Sequence, residues 1–178
     1  MSIANEYDRT MFEQYAAELA GSSHDRAMRP AIEQMVRQFF RACDNLNRDM
    51  MMSFFNDNPT VITALDGPGY IWAGAAEVKR WIESWGKDME RVVPKIIIVD
   101  RGSVVCHTVT FTFNLEDSEA FIESHGVVIM DLDKDNCIER LEYRETNRED
   151  KTHEGGRELF DSLVEEAEND AISVDYLS

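Results

Sequence analysis

Apolar positions along the chain change their period several times, and each change marks an element. From Ala31, residues Ile32, Met35, Val36, Phe39, Phe40 and Cys43 recur at helical spacing, with Glu33, Arg37 and Arg41 on the other side. This pattern predicts a long amphipathic helix. After the break at Asn45-Leu46-Asn47, a short helical segment runs from Asp49 to Phe55 and stops at Asn56-Asp57-Asn58-Pro59. Thr60 to Ala64 reads as a strand, Asp66-Gly67-Pro68-Gly69 as a turn, and Tyr70 to Ala73 as a short returning strand. Gly74 precedes a third helix in which Ala75, Val78, Trp81, Ile82 and Trp85 share a face before Gly86 ends it. The two tryptophans of that face are assigned to the core.

The period then falls to two. Val92 to Val99 reads as a strand, with Pro94 favouring an edge or a strand start. Ser103 to Leu115 alternates cleanly, with Val105, His107, Val109, Phe111 and Phe113 on one face and Cys106, Thr108, Thr110, Thr112 and Asn114 on the other. A polar loop over 116–119 leads to a strand starting near Phe121. The stretch from Gly126 to Arg144 reads as two long strands joined by turn chemistry at Asp133-Lys134-Asp135-Asn136. Its second strand alternates Ile138, Leu141 and Tyr143 with Arg140, Glu142 and Arg144. A last amphipathic helix, with Leu159, Phe160, Leu163, Val164 and Ala167, follows Gly155-Gly156. At the other end, Met11, Phe12, Tyr15, Ala16 and Leu19 form a short amphipathic stretch. The order of elements implies an α+β fold, with helices on one face of a strongly curved sheet and a cone-shaped hollow between them.

Composition narrows this picture. With 178 residues, 43% of them hydrophobic, the chain supports one core. It is read as one domain over 25–147, with a peripheral segment over 1–24 and an acidic helix and tail over 148–178. The net charge of −17 opposes nucleic acid and anionic membrane as partners. The last thirty-one residues hold ten Asp/Glu against three Lys/Arg, a solvated acidic tail or a partner-binding one. No apolar run reaches the length of a membrane span, and the opening MSIANEYDRTMFEQY is polar and acidic where a signal peptide is basic and then apolar, so a cytoplasmic location is expected. Cys43, Cys106 and Cys137 lack CxxC spacing and read as reduced thiols. No metal site is expected: the Asp131, Asp133, Asp135 run lacks the glycine and closing glutamate of a calcium loop. No cofactor fingerprint is present.

The run MVRQFFRACDNLNRDMMMSFFNDNPTVITALDGPGYIWAGAAEVKRWIESW resembles the front half of the SnoaL-like, nuclear transport factor 2-like superfamily, and HGVVIMDLDKDNCIERLEYRET resembles its last hairpin. The resemblance spans roughly 31–147. It implies a curved antiparallel or mixed sheet wrapped around a long N-terminal helix, with extra helical segments at both ends, and a homodimer. Polyketide cyclases, isomerases, lyases, epoxide hydrolases and noncatalytic association domains share this fold, so fold alone does not decide among them. By the resemblance, Glu142 falls where the cyclases and epoxide hydrolases place a catalytic aspartate. The isomerase base position is Thr63 and its oxyanion tyrosine is Phe39. The epoxide hydrolases' Arg and Asp fall near Thr108 and Thr110, and their Tyr and Asn at Ile62 and Ala64.

Candidate chemistry follows from both readings. Glu142 is the candidate base, its pKa raised by an apolar cone and lowered by Arg140 or Arg144; the alternative is an ion-pair ladder of the three on the sheet's other face. Tyr70 or His107 would polarise a substrate oxygen. Trp72, Phe39, Thr63, Thr108, Thr110, His125 and Arg140 are the candidate binding residues, and Asp66 belongs to its turn. Which faces His107 and His125 occupy depends on a one-residue register. The expected activity is cofactor-independent acid/base chemistry on a small apolar carbonyl or polyketide-like metabolite. A noncatalytic ligand-binding or dimerisation module is the alternative.

Overall fold

A computed structural model of the chain describes Met11 and residues 26–64, 69–85, 89–114, 117–146 and 148–173. The N-terminal helical stretch beyond Met11, the turn at Asp66-Gly67-Pro68 and the stop at Gly86 lie outside these residues. The elements are α1 (Arg29–Asp44), α2 (Arg48–Ser53), β1 (Phe55–Ala64), β2 (Tyr70–Ala73), α3 (Ala75–Ser84), β3 (Met89–Asp100), β4 (Ser103–Asn114), β5 (Asp117–Leu132), β6 (Ile138–Glu145), β7 (Lys151–Glu154), α4 (Gly156–Asn169) and β8 (Ile172–Ser173). The strands form one mixed, curved sheet in the order β2-β1-β6-β5-β4-β3-β8, with β7 beside β5. β1 runs parallel to β6, and β3 to β8; the other pairs are antiparallel.

The short second helix ends earlier than its sequence predicts. Asn47 caps it by accepting from the Met50 amide at 3.1 Å, and Phe55 already pairs with Ile138 in the sheet. The strand then continues through Pro59, because the register between β1 and β6 shifts between Phe55 and Thr60, where a missing N–H removes no ladder bond. Pro94 is likewise inside a strand, next to a register shift between Pro94 and Ile96 rather than at a strand start. The expected polar loop over 116–119 gives way to β5, which begins at Asp117. The β5–β6 turn does follow its sequence: Asp133 Oδ1 accepts from the amides of Asp135 and Cys137, and Asn136 takes the left-handed conformation at φ 60°.

Helices cover both faces of the sheet, not one. On the inner face, Val61, Val92, Ile97, Val99, Val104, Cys106, Val128, Met130 and Leu141 pack against Ile32, Val36, Phe39, Phe40 and Cys43 of α1 and Val78, Trp81 and Ile82 of α3. On the outer face, Val93, Val109, Phe111, Phe113 and Phe121 pack against Phe160, Val164 and Ala167 of α4. The reason is the period of β4. Its odd positions are as apolar as its even ones, so each side of the strand needs a cover. Phe160 stacks on Phe113 at 4.6 Å between ring centroids and meets Phe121 and Phe111 edge-on at 5.4 and 6.2 Å.

Arg91 joins the two layers at the sheet edge. Its Nε donates to Asp44 at the end of α1 and its Nη2 to Glu168 of α4, each at 3.0 Å. Lys95 Nζ donates to the Ala167 carbonyl near the C-terminus of α4 at 3.1 Å, where a cation also suits the helix dipole. Phe160 has no exposed surface. Its replacement by Ala is expected to cost about 3–5 kcal/mol, read as a lowered midpoint in denaturant unfolding; a loss below about 1 kcal/mol would show that α4 is not a structural part of the outer core.

Candidate functional site

Between α1, α3 and the inner face lies a cavity of about 310 Å³. Strand register shows how the sequence builds its floor. Thr110 lies across from Val92 and Ser124, Thr112 from Glu90, Val128 from Tyr143, and Tyr143 from Thr63. Phe39 and Phe40 of α1 and Trp81 and Trp85 at the end of α3 form the opposite wall, with Leu141 and Glu145 completing the lining. The two tryptophan rings meet edge-on at 5.2 Å. Thus one end of the cavity is aromatic and aliphatic, and the sheet side carries hydroxyls and two carboxylates.

Tyr143 holds its place because residue 126 is glycine. A Cβ there would stand 2.6–2.8 Å from the Tyr143 ring and hydroxyl, closer than packing allows. Burial, and then the charges of Glu145, Glu90 and Asp150, push the phenol up to about 12, so it stays a hydrogen-bond donor across the physiological range. At the end of α1, burial raises the Asp44 carboxyl to about 6 against the opposing pull of the Val92 amide and Arg91. Cys106 is buried on the inner face, and burial pushes its thiol up, leaving it neutral and unreactive.

Of the residues singled out from the sequence, Phe39, Thr63 and Thr110 line the cavity. Thr108 shares the inner face but is buried, its hydroxyl donating to the Gly126 carbonyl at 3.4 Å. Trp72 packs against the inner core, its buried indole N–H without a hydrogen-bond partner among the described residues. Tyr70, at 69% exposure, does not reach the cavity. Glu142, Arg140, His107 and His125 belong to the outer face, since Leu141, Tyr143 and Ser124 are their inward neighbours. Glu142 is only 5% exposed and accepts from Arg140 Nη2 and Arg144 Nε. Burial would raise its carboxyl, but the two guanidinium groups outweigh it and hold it below the ordinary range. A carboxylate in that state is an ion-pair centre and a weak base.

No protein-family model matches the sequence, and no curated protein matches it. Solved structures do. One is SalBIII, an epoxide hydrolase/cyclase-like enzyme of pyran ring formation in the polyether salinomycin, 15% identical with a TM-score of 0.59 over 72% of this chain and 97% of that one. A ketosteroid isomerase-like protein from Kribbella flavida is 11% identical, with a TM-score of 0.55 over 72% and 84%. An NTF2-like protein of unknown function from Burkholderia pseudomallei is 14% identical, with a TM-score of 0.56 over 65% and 90%. The chain has the nuclear transport factor 2-like fold. At these identities the likeness concerns the cone and not its chemistry.

Sequence reading missed two features of this nuclear transport factor 2-like cone. The first is the pair Glu90 and Glu145; the available signal was that Glu145 shares strand parity with Tyr143. The second is a polar cluster on the outer face. His125 Nε2 lies 2.9 Å from Glu123 Oε1, and His153 Nε2 lies 2.6 Å from Glu123 Oε2. Arg148 Nη1 reaches His125 Nδ1 at 2.9 Å, and His107 Nε2 is 3.4 Å from the same nitrogen. Since Arg148 donates, Nδ1 of His125 accepts, and its Nε2–H donates to Glu123. No described group of three or more His, Cys, Asp or Glu residues has metal-holding geometry. The cluster ties β4, β5 and β7 together, and His153 also stacks on Phe121 at 5.0 Å.

Acid should undo it. Burial lowers His107 from 6.5 to about 4, helped by His125, Arg148 and Lys95. Hydrogen bonds from His125 and then His153 outweigh burial and lower Glu123 from 4.5 to about 2. Both groups are less easily protonated folded than unfolded, so the unfolded chain gains protons first as pH falls. The His107 contribution disappears between pH 6.5 and about 4, and that of Glu123 between 4.5 and about 2. Asp44, raised to about 6, acts in the opposite sense as pH falls below that value, so the His107 part is read by difference: between pH 7 and 4 the thermal midpoint should fall more in the native chain than in His107→Phe. An equally steep profile in the variant would remove His107 as its source.

Proposed function

We propose that the chain binds a small, largely apolar molecule inside the cone. What carries this reading is the cavity itself: about 310 Å³ remains open between aromatic side chains and a hydroxyl-bearing sheet, at the lower end of the range for small-ligand sites. Residues 25–147 hold the site in this proposal, and the segment from 148 braces the outer face. A cytoplasmic setting is part of the same reading, in keeping with three unpaired thiols. Among the described residues no helix is long and apolar enough to cross a membrane.

A second reading, proton transfer of the cyclase or isomerase kind, is favoured by one observation. The Tyr143 phenol and the Glu145 and Glu90 carboxylates share the cavity, which supplies a hydrogen-bond donor for a carbonyl oxygen and a base for an adjacent proton. In this reading the base belongs to the inner face, at Glu145 or Glu90, and Glu142 orders the outer one. A homodimer through that outer face is also proposed. Val105, Val127 and Ile129 are half-buried there beside the Arg140, Glu142 and Arg144 ladder. Sedimentation of a monomer at micromolar concentration would overturn the dimer.

Trp81 and Trp85 report on the cavity directly. Small alicyclic molecules that fit it should quench tryptophan fluorescence saturably, and Ser124→Trp, which fills the floor, should abolish that binding with an unchanged far-ultraviolet spectrum. Binding that survives in the filled variant would place the ligand elsewhere.

A further inference from the structure

The cavity's charge is one-sided. Among the described residues that line it, the ionisable groups are Glu90, Glu145 and Tyr143, and none is Lys, Arg or His. Strand alternation explains this. On the strands, the cations and the imidazole next in sequence to lining residues are engaged elsewhere: Arg91 with Asp44 and Glu168, Arg140 and Arg144 with Glu142, and His125 with Glu123. The inner face therefore keeps its carboxylates while the outer face and the sheet edge take the positive groups. Glu90 and Glu145 also interact within the protein, and a ligand would join those interactions. Tyr143 senses the same sign of field, since the charges that act with burial to raise it are all carboxylates.

The other wall is aromatic. Phe39, Phe40, Trp81 and Trp85 present ring surface to a hollow partly withdrawn from water. Ring faces and carboxylates around one desolvated space are the recognition set for an ammonium group on an apolar body. A neutral molecule of equal shape gains the apolar wall alone, and an anion is repelled.

We propose that the cone selects a compact apolar molecule bearing a positively charged amine, with Glu145 and Glu90 supplying the counter-charge and the aromatic wall holding the body. This rests on the cone being the binding site, and it narrows the class of molecule bound there.

Three probes with one cage separate shape from charge: adamantan-1-amine, adamantan-1-ol and adamantane-1-carboxylate, titrated into the full chain at pH 7.5 by calorimetry. The amine is expected to bind about ten-fold or more tighter than the alcohol, with the carboxylate weakest. Glu145→Gln and Glu90→Gln should each weaken the amine by about ten-fold while leaving the alcohol within about two-fold, which also shows that the variants fold. An alcohol that binds the native protein as tightly as the amine, or Gln variants that leave the amine unaffected, would overturn charge selection and leave the cavity reading standing. If none of the three binds, the cavity reading falls as well, and charge selection with it.

Discussion

The antiparallel pairing of β4 with β5 is the constraint on which the rest of the molecule depends. Its register sets Thr110 beside Ser124 on one face and Phe111 beside Glu123 and Phe113 beside Phe121 on the other. Because side chains alternate, that single alignment makes the floor of the cavity and the seat of α4 at once. A slip by one residue would turn Glu123 and His125 into the aromatic hollow and put Ser124 under Phe160, leaving both polar side chains without their partners. The two cores thus enforce the register from opposite sides.

Charge is sorted by the same alternation. On the outer face the charged groups have partners within reach: Arg140 and Arg144 with Glu142, Glu123 with the rings of His125 and His153, and Arg140 again with Asp131 at 3.4 Å. The exposed members of these pairs contribute little to stability, because water screens them and their long side chains lose freedom. Glu142 differs, being enclosed. Removing either arginine would leave a carboxylate partly buried with one partner fewer, a larger cost than the intact ladder's net gain.

Much of the fold could be read from the chain because its periods are strong. The apolar stripe from Ile32 to Cys43 and the alternation from Val105 to Phe113 show their elements plainly. Alternation, however, defines two faces without saying which is the inside. On β6 the apolar set Leu141 and Tyr143 and the charged set Arg140, Glu142 and Arg144 are both coherent. Only the pairing of Leu141 with Met130 and of Tyr143 with Val128 shows that the first set meets the core. The outer cluster was less accessible still, since Glu123 and His153 are joined across thirty residues. Nothing local in the sequence joins a glutamate on one strand to a histidine on a strand formed after the last hairpin.

The divided edge of β5 also fixes the order in which the molecule can be completed during synthesis. β6 pairs with the second half of that edge, from Gly126 to Leu132, and β7 with the first, from Ala120 to Glu123. When a growing chain has emerged as far as Glu145, every described strand and helix lining the cavity is present. Glu123 and His125 still lack His153 and Arg148, and the aromatic outer core still lacks Phe160. A nascent chain therefore passes through a stage in which its inner cavity precedes its outer cover, with Phe111, Phe113 and Phe121 open to whatever first meets an emerging polypeptide.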